Sequence, residues 1–218
     1  MPPRISVLMP MRNAQKYLAE SINSILQQTY GHFRFLIVDD GSDDDSIRIV
    51  EQFADDRLLL IRQKPGGVTA ALNNGLAYAK GEFIARMDAD DIALANRFET
   101  QVAFLEQQTE IVAVGSFVER IDEDGLPIAI GRWPTEHEEI DRQLLAGRGG
   151  LPHPSAMIRR SELQSIGGYR DEFQVAQDKD LWLRLCEVGK LRNIPTPLLR
   201  YRERLNSVST AHQKAQLE

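Results

Sequence analysis

Cysteine is almost absent from this sequence. The 218 residues contain a single cysteine, Cys186, so the chain cannot form an internal disulfide. Disulfides persist mainly in oxidising compartments, and their absence fits a reducing one. The apolar neighbours Leu183, Leu185 and Val188 predict that Cys186 is a small core residue. We therefore expect a cytoplasmic protein.

Long apolar runs are also missing. No stretch approaches the roughly 20 apolar residues that a membrane-spanning helix needs. The N-terminal segment MPPRISVLMPMRN contains Arg4, but only five or six apolar residues follow it. That run is too short for a secretory signal and predicts a first β-strand instead. We expect no membrane span, and peripheral association at the inner face of the membrane stays open.

The sequence has no excess of positive charge. It contains 26 Lys and Arg against 32 Asp and Glu, which gives a net charge of −6 at pH 7. Nucleic-acid-binding domains usually carry a basic surface, so we expect no nucleic-acid partner. The patterns G-x-G-x-x-G and G-x-x-x-x-G-K-[ST] are absent as well. Their absence argues against dinucleotide binding and against a P-loop.

What the sequence does contain is an alternation of apolar runs and amphipathic segments. In the first half, strands are predicted at 5–9, 33–38, 58–61, 83–87 and 111–118, and helices near 18–26, 47–53, 68–79 and 97–107. This alternation is typical of an α/β fold with a mostly parallel central sheet and helices on both faces. With no linker in view, we predict one domain over residues 1–218.

After Gly125 the alternation becomes irregular. Thr135 and Glu138 have the spacing of a capping box for a helix that ends near Leu145. A short strand is predicted at 156–158, a turn at Gly167-Gly168, a helix around 181–188 and a late strand at 198–202. This second, smaller half builds on the first.

Polar segments follow three of the predicted strands. Pro10-Met11-Arg12-Asn13 follows the first strand, Asp39-Asp40 the second, and Asp88-Ala89-Asp90-Asp91 the fourth. Ligands of open α/β sheets bind outside the carboxyl ends of the strands, so all three segments should meet at one edge. Three carboxylates within four residues repel one another, and oxygen ligands of this kind suit Mg²⁺ or Mn²⁺. An isolated D-x-D is more often an acidic turn before a helix, but three strand ends together favour a ligand site.

Other candidate residues have a simpler structural alternative. Asp40 could accept a hydrogen bond from a base N–H, whereas Ser42 or Asp43 could only cap the next helix. Asp178 precedes an apolar helix and could be its N-cap. His153, between two prolines, is typical of a structural residue. Two further residues, Trp182 and Leu183, are expected in the core, and Arg184 in solvent.

Together these segments resemble the family 2 glycosyltransferases, inverting enzymes with the Rossmann-like, nucleotide-sugar-binding A-type fold. The resemblance covers roughly residues 4 to 210. It rests on ISVLMPMRNAQKYLAESINSILQQTY, FLIVDDGSDDDS, ALNNGLAYAKGEFIARMDADD, HPSAMIRR, GGYRDEF and QDKDLWLRL, whose order and spacing make the joint match specific. It implies a nucleotide-sugar-binding half to about residue 120 and an acceptor-binding half from about 121 to 218.

The resemblance also implies roles for individual residues. Asp40 would bind a uracil-type base, supported by Asp39, and Asp178 would be the general base toward the acceptor hydroxyl. Asp88 would contact the ribose and the metal, Mn²⁺ or Mg²⁺, and Asp90 would hold that metal on the donor diphosphate. The expected donor-binding residues are Pro10, Arg12, Asn13, Asp39, Asp40, Gly67, Asn73 and Asp88, and Gln177, His153 and Trp182 would lie on the side of a saccharide or lipid-linked saccharide acceptor.

The sequence departs from the family pattern at two positions. Arg12 stands where an aromatic residue often stacks on the base, although a planar guanidinium can also stack. Gln177-Asp178 replaces a Glu-Asp pair. Two alternatives stay open. One is an inactive module that binds a nucleotide sugar. The other, a sugar nucleotidyltransferase, would need a glycine- and arginine-rich first loop that Pro10–Asn13 does not provide.

Overall fold

Strands and helices alternate through the chain in the computed structural model, which describes residues 2–173 and 175–204. The strands are β1 Ile5–Met11, β2 Phe33–Asp39, β3 Leu58–Arg62, β4 Phe83–Arg86, β5 Ile92–Ala93, β6 Ile111–Ile121, β7 Pro127–Gly131, β8 Met157–Arg159 and β9 Lys190–Arg202. The helices are α1 Leu18–Leu26, α2 Ser46–Glu51, α3 Val68–Tyr78, α4 Arg97–Gln107, α5 His137–Leu145, α6 Arg160–Ser165 and α7 Gln177–Cys186, with a 3₁₀ turn at His153–Ser155. The predicted domain extends to residue 218 and the resemblance to about residue 210. The parts of both that follow residue 204 lie outside the described residues.

Within the part of the chain that the structure describes, one sheet of nine strands runs through both halves. Its order is β3-β2-β1-β4-β8-β6-β9-β5, and β7 pairs with β6 beside this path. The first four strands are parallel, as predicted, and β6 and β9 are parallel to each other. The short strand β8 joins these two parts by pairing antiparallel with both β4 and β6. The carboxyl ends of β1, β2 and β4 therefore lie side by side.

Helices cover both faces of the sheet, which confirms the predicted α/β class. Successive side chains of a strand point to opposite faces. On β1, Val7 and Met9 pack with α1 and α4 in one apolar cluster, whereas Leu8 packs with α3 and α7 in another. All three are buried. Burial on both faces explains why β1 is a continuous apolar run and not an alternating one.

The first strand continues past Pro10, although the sequence predicted that it ends at Met9. The pairing of β1 with β2 continues through Pro10 to Met11, opposite Asp39. On its other side, β1 pairs with β4 only as far as Leu8. The missing N–H of Pro10 is therefore tolerated because the neighbouring ladder has already ended.

Three short elements were not predicted. The strand β5 has two residues, α6 has six, and β7 is exposed along its length and begins with a proline. The first two are too short to show an apolar periodicity, whereas β7 is a short apolar run that the predictions did not include. Within the described ranges, no helix is both long and apolar enough to span a bilayer.

The predicted helix caps are wrong, although the helices form. Helix α5 begins after Glu136 without a side-chain cap bond, so Thr135 and Glu138 form no capping box. Helix α2 begins after Asp45, and Ser42 instead accepts a hydrogen bond from Asn13. On α7, Leu183 is exposed, and Arg184 is buried in an ion pair with Asp180. The packed face of α7 thus includes a charged pair that periodicity alone could not indicate.

Candidate functional site

The loops after β1 and β2 are tied together at the sheet edge. The Asn13 N–H donates to Ser42 Oγ, and the Asp43 N–H donates to Asn13 Oδ1, both over 3.0 Å. Asn13 takes a left-handed conformation with φ 50°, which asparagine tolerates better than most residues. The preceding residue, Arg12, is exposed. The arrangement fixes the loop that carries Arg12 while leaving its side chain accessible.

The two acids at the end of β2, Asp39 and Asp40, are buried and hydrogen-bonded. Asp39 accepts from the Ser42 N–H over 3.1 Å. Asp40 is 4% exposed, and its carboxylate accepts from Gln63 Nε2 at 2.8 Å and from the N–H groups of Gly66 and Gly67 at 2.7 and 2.9 Å. Asp40 therefore anchors the loop before α3, a contact that the sequence did not indicate.

Asp40 nonetheless keeps capacity for one more hydrogen bond. An ionised carboxylate has about four acceptor positions. Three are used here, two on Oδ1 and one on Oδ2. A ligand N–H could occupy the remaining position on Oδ2, the oxygen that also accepts from the Gly67 N–H. A base-binding role is thus compatible with the anchoring role.

Asn73, on α3, holds the segment that precedes α7. Its Nδ2 donates to Tyr169 O at 2.8 Å and to Asp171 Oδ1 at 3.1 Å, and its Oδ1 accepts from the Tyr169 N–H at 3.1 Å. The turn before Tyr169 contains Gly168 at φ 71°, and a Cβ there would come within 3.2 Å of the Asn73 amide oxygen. Asn73 therefore joins the donor-side helix to the second half.

The acid cluster lies directly after β4. We give this name to Asp88, Asp90 and Asp91, each of which has an oxygen within 4.8 Å of the others. Asp88 is paired with Arg86, and Asp90 with Arg204 at 3.2 Å. Burial, and then the charges of Asp88 and Asp90, raise the pKa of Asp91 well above its usual value. Burial and Asp88 also raise the pKa of Asp90. The repulsion expected from the sequence is present in the structure.

The donor set of the cluster fits a divalent cation. Its members supply only oxygen ligands, which Mg²⁺ and Mn²⁺ prefer. Asp91 is fully buried, and its Oδ2 has no hydrogen-bond partner among the described residues. An unpartnered buried carboxylate oxygen is costly, and a cation at the cluster would satisfy it. Asp91 therefore joins the predicted Asp88 and Asp90 as a third candidate ligand.

Two distant arginines shape the loop that carries the cluster. Arg202, at the end of β9, donates its backbone N–H to Asp91 Oδ1 at 2.8 Å and its Nε to Asp90 O at 2.9 Å. Arg97, on α4, is fully buried and donates to Arg86 O at 2.7 Å. Neither residue belongs to a sequence motif that marks the site, so no signal in the sequence could have identified them.

Asp178 lies inside α7 and is not its N-cap. The helix begins at Gln177, and the cap position is Ala176, in a left-handed conformation with φ 59° and without a side-chain cap bond. Asp178 is half-buried. Burial raises the pKa of Tyr169, and the charges of Asp178 and Asp88 add to that rise. Asp88 in the first half and Asp178 in the second half therefore both raise the pKa of Tyr169.

His153 and Trp182 are packed beneath this region. His153 Nε2 is 2.8 Å from Tyr169 Oη, and its ring stands edge-on to Trp182 at 5.7 Å. Burial and the charge of Arg86 lower the pKa of His153 well below its usual value, so the ring is neutral. Trp182 is fully buried, which confirms its predicted core position. Its side chain is therefore not accessible to an acceptor in this structure, contrary to the acceptor-side role that the resemblance implied.

The structure thus brings most of the predicted residues to one edge and adds others. Those that the sequence analysis missed are Gln63, Arg86, Arg97, Tyr169 and Arg202, and it named Asp91 among the three carboxylates without assigning it to the metal. Tyr169 could have been identified from the sequence, because it lies in the segment GGYRDEF, on which the resemblance rests. Asp91 could have been assigned too, since it follows Asp90 directly.

Comparisons with known proteins agree with this arrangement. Residues 6–167 match the family described as "Glycosyl transferase family 2". The putative glycosyltransferase EpsE of Bacillus subtilis (strain 168) is 36% identical over 209 residues, which cover 92% of this chain and 73% of EpsE. WfgD of Escherichia coli, named as a UDP-Glc:alpha-D-GlcNAc-diphosphoundecaprenol beta-1,3-glucosyltransferase, is 28% identical over 211 residues, or 96% of this chain and 80% of WfgD.

Among solved structures, S. aureus TarS has the same fold. The crystal structure of TarS 1-349 in complex with UDP-GlcNAc matches 94% of this chain with a TM-score of 0.77 and 20% sequence identity. The chain spans 60% of that TarS structure. A likeness at this identity establishes the fold, and with it the predicted A-type architecture.

Proposed function

Because this chain belongs to glycosyl transferase family 2, we propose that it transfers a sugar from a UDP-linked donor to a hydroxyl group of a saccharide or lipid-linked saccharide, with inversion at the anomeric carbon. The observation that carries the proposal is that the acid cluster and Asp40 stand at the same edge of the sheet. The UDP-GlcNAc bound to TarS supports the choice of donor. The name of WfgD supports a lipid-linked acceptor.

The donor nucleotide is proposed to lie across the ends of β1 and β2. Asp40 would accept the N3–H of uracil at its remaining acceptor position, with Asp39 fixing the loop beside it. Arg12 would stack its planar guanidinium on the base. Four other residues, Pro10, Asn13, Gly67 and Asn73, would shape the pocket without contacting the reacting atoms.

The diphosphate is proposed to lie over the acid cluster. Asp88 and Asp90, with Asp91 behind them, would hold Mn²⁺ or Mg²⁺. The metal, when bound, would neutralise the charge that develops on the leaving diphosphate. Asp88 would also contact the ribose. We infer no separate acid for the leaving group, because a diphosphate leaves as an anion.

Asp178 is proposed to act on the acceptor. It would take the proton from the attacking hydroxyl while the new bond forms to the anomeric carbon, opposite the departing diphosphate. The transition state should resemble an oxocarbenium ion, as in other glycosyl chemistry. His153 and Gln177 would lie on the acceptor side, His153 as a neutral ring that supports Tyr169.

A product assay tests the proposed reaction. The protein is incubated with a panel of UDP-sugars, Mn²⁺ and saccharide or lipid-linked acceptors, and the released nucleotide is identified. We expect UDP, released only when a suitable acceptor is present. A UDP-sugar at roughly 100 times its Kd should also stabilise the fold by about 2.7 kcal/mol. Release of pyrophosphate would indicate a nucleotidyltransferase, and donor binding without turnover on any acceptor would indicate an inactive module.

Uracil preference is the second expected result. UDP and dTDP should bind more tightly than CDP, because uracil and thymine offer an N3–H to Asp40 and cytosine has none. Losing one hydrogen bond to a charged group costs about 1.5–3 kcal/mol, which corresponds to roughly 10- to 150-fold in Kd. The measurement is calorimetric titration of the three nucleotides with Mn²⁺.

The three nucleotides are compared on the parent protein and not on an Asp40 variant. An Asp40 variant would also release the Gly66-Gly67 loop, because that carboxylate holds both backbone N–H groups. Comparing nucleotides instead leaves the loop intact. Equal affinity for UDP and CDP would remove Asp40 from base recognition and leave it as an anchor of the loop.

A further inference from the structure

One buried side chain of the site has no role in the proposed reaction. Arg86 is the last residue of β4, and its side chain is 5% exposed. Its backbone N–H donates to Ala156 O at 2.9 Å, so its main chain belongs to the sheet. Burying a guanidinium removes its hydration, which is unfavourable unless an opposite charge compensates. Its position beneath the acid cluster therefore needs a reason.

The Arg86 guanidinium is placed for its charge and not for scaffolding. Its Nη1 lies 2.5 Å from Asp88 Oδ2, yet neither Nη1 nor Nε makes an aligned hydrogen bond within residues 2–173 and 175–204. Burial lowers the pKa of Arg86, but Asp88 more than offsets this, and the pKa stands above its usual value. The neighbouring Arg97 differs, because it binds the carbonyl oxygens of Arg86 and Ala156 at 2.7 and 3.3 Å.

We propose that Arg86 is a built-in counter-cation of the acid cluster, which lowers the affinity of the free protein for a divalent metal and makes tight metal binding depend on the donor diphosphate. The identity of the donor rests on the proposed function. The guanidinium and a divalent cation are both attracted to Asp88 and repel each other at short range. A diphosphate brings new negative charge to the other side of the metal, and that charge restores the attraction.

Metal affinity without nucleotide tests the proposal directly. Free Mn²⁺ is followed by electron paramagnetic resonance during titration of the parent, Arg86→Met and Arg86→Lys. Arg86→Met should bind Mn²⁺ at least about tenfold more tightly than the parent, because it removes one positive charge from the cluster. Arg86→Lys keeps the charge and should stay close to the parent. Arg184→Met, which removes another buried, ion-paired arginine, should not tighten Mn²⁺ binding.

If Arg86 only supported the structure of the site, Arg86→Met would weaken Mn²⁺ binding and not tighten it. If the Arg86→Met variant folds, as judged by circular dichroism, and binds Mn²⁺ no better than the parent, the proposal is overturned. If that variant fails to fold, the proposal is tested on the parent protein by measuring Mn²⁺ affinity with and without UDP. Its Mn²⁺ affinity should rise at least about tenfold when UDP is added, and tight Mn²⁺ binding that UDP does not improve would overturn the proposal. If UDP itself does not bind, the donor assignment fails, and the Mn²⁺ comparison without nucleotide still stands.

Discussion

Replacing Asp178 by asparagine is expected to slow sugar transfer by about two orders of magnitude or more, while donor affinity stays unchanged. A positioned general base contributes on the order of 10²–10⁴-fold in rate, and asparagine cannot accept the proton. The structure has removed the simpler explanation, since Asp178 lies within α7 and Ala176 holds the cap position. Steady-state kinetics with a saturating donor should therefore show a fall in kcat without a rise in the donor KM.

The stability of the Asp178→Asn variant should change little. An acid in the first turn of a helix contributes only about 0.3–1 kcal/mol through the helix dipole. Glu187→Gln, an isosteric loss of charge on an exposed residue just beyond the same helix, is the matched control and should keep full activity. If Asp178→Asn transfers sugar at close to the parent rate, the base lies elsewhere. Asp180 is then a poor substitute, because Arg184 and Arg170 already pair with it.

The second large effect concerns the metal. In the parent, Mn²⁺ should raise the affinity for UDP by about tenfold or more, and Asp90→Asn should abolish that enhancement. The substitution keeps the shape of the side chain but removes a charge from the acid cluster, which we propose holds the metal on the diphosphate. The measurement is UDP titration with and without Mn²⁺ for the parent and the variant.

Asp56→Asn provides the charge-matched control for that titration. Asp56 is exposed and lies before β3, outside the acid cluster, so its loss should leave the Mn²⁺ effect intact. The Asp90→Asn variant should fold normally, since Asp90 is partly exposed and its ion pair with Arg204 is of the weak surface kind. Undiminished Mn²⁺-dependent UDP binding in Asp90→Asn would contradict the assignment of this residue to the metal.

The parallel half of the fold could be predicted because its signals are local. The strand that begins at Phe33 is apolar from Phe35 to Val38 and is stopped by Asp39-Asp40-Gly41, and the helices after it have apolar stripes. Once these strands are parallel, geometry alone brings their carboxyl ends together. The positions of Asp40 and Asp88 at one edge followed from that step. The second half has weaker signals, and the apolar residues of β7 do not mark a buried strand, because Ile128 and Ile130 are exposed.

The partners of the site residues could not be predicted, because they are distant in the chain. Asp40 accepts hydrogen bonds from residues 23 to 27 positions away, and Asp91 accepts one from a residue 111 positions away. Arg184 was expected in solvent, yet it is buried against Asp180, since an ion pair makes burial of a charge tolerable. Arg86 lies within the strand predicted at 83–87, and its burial beside Asp88 is seen only in the fold.

The hydrogen bond from the Arg202 N–H to Asp91 has a consequence for the order of assembly during synthesis. The ribosome reaches Arg202 111 residues after Asp91, and at about 5–20 residues per second this takes on the order of 6–20 s. The strands β1 to β4 are complete before that time and can pair with one another. The loop that carries Asp90 and Asp91, however, acquires its anchor only when β9 docks. The nascent chain can therefore form the parallel sheet well before it can complete the acid cluster.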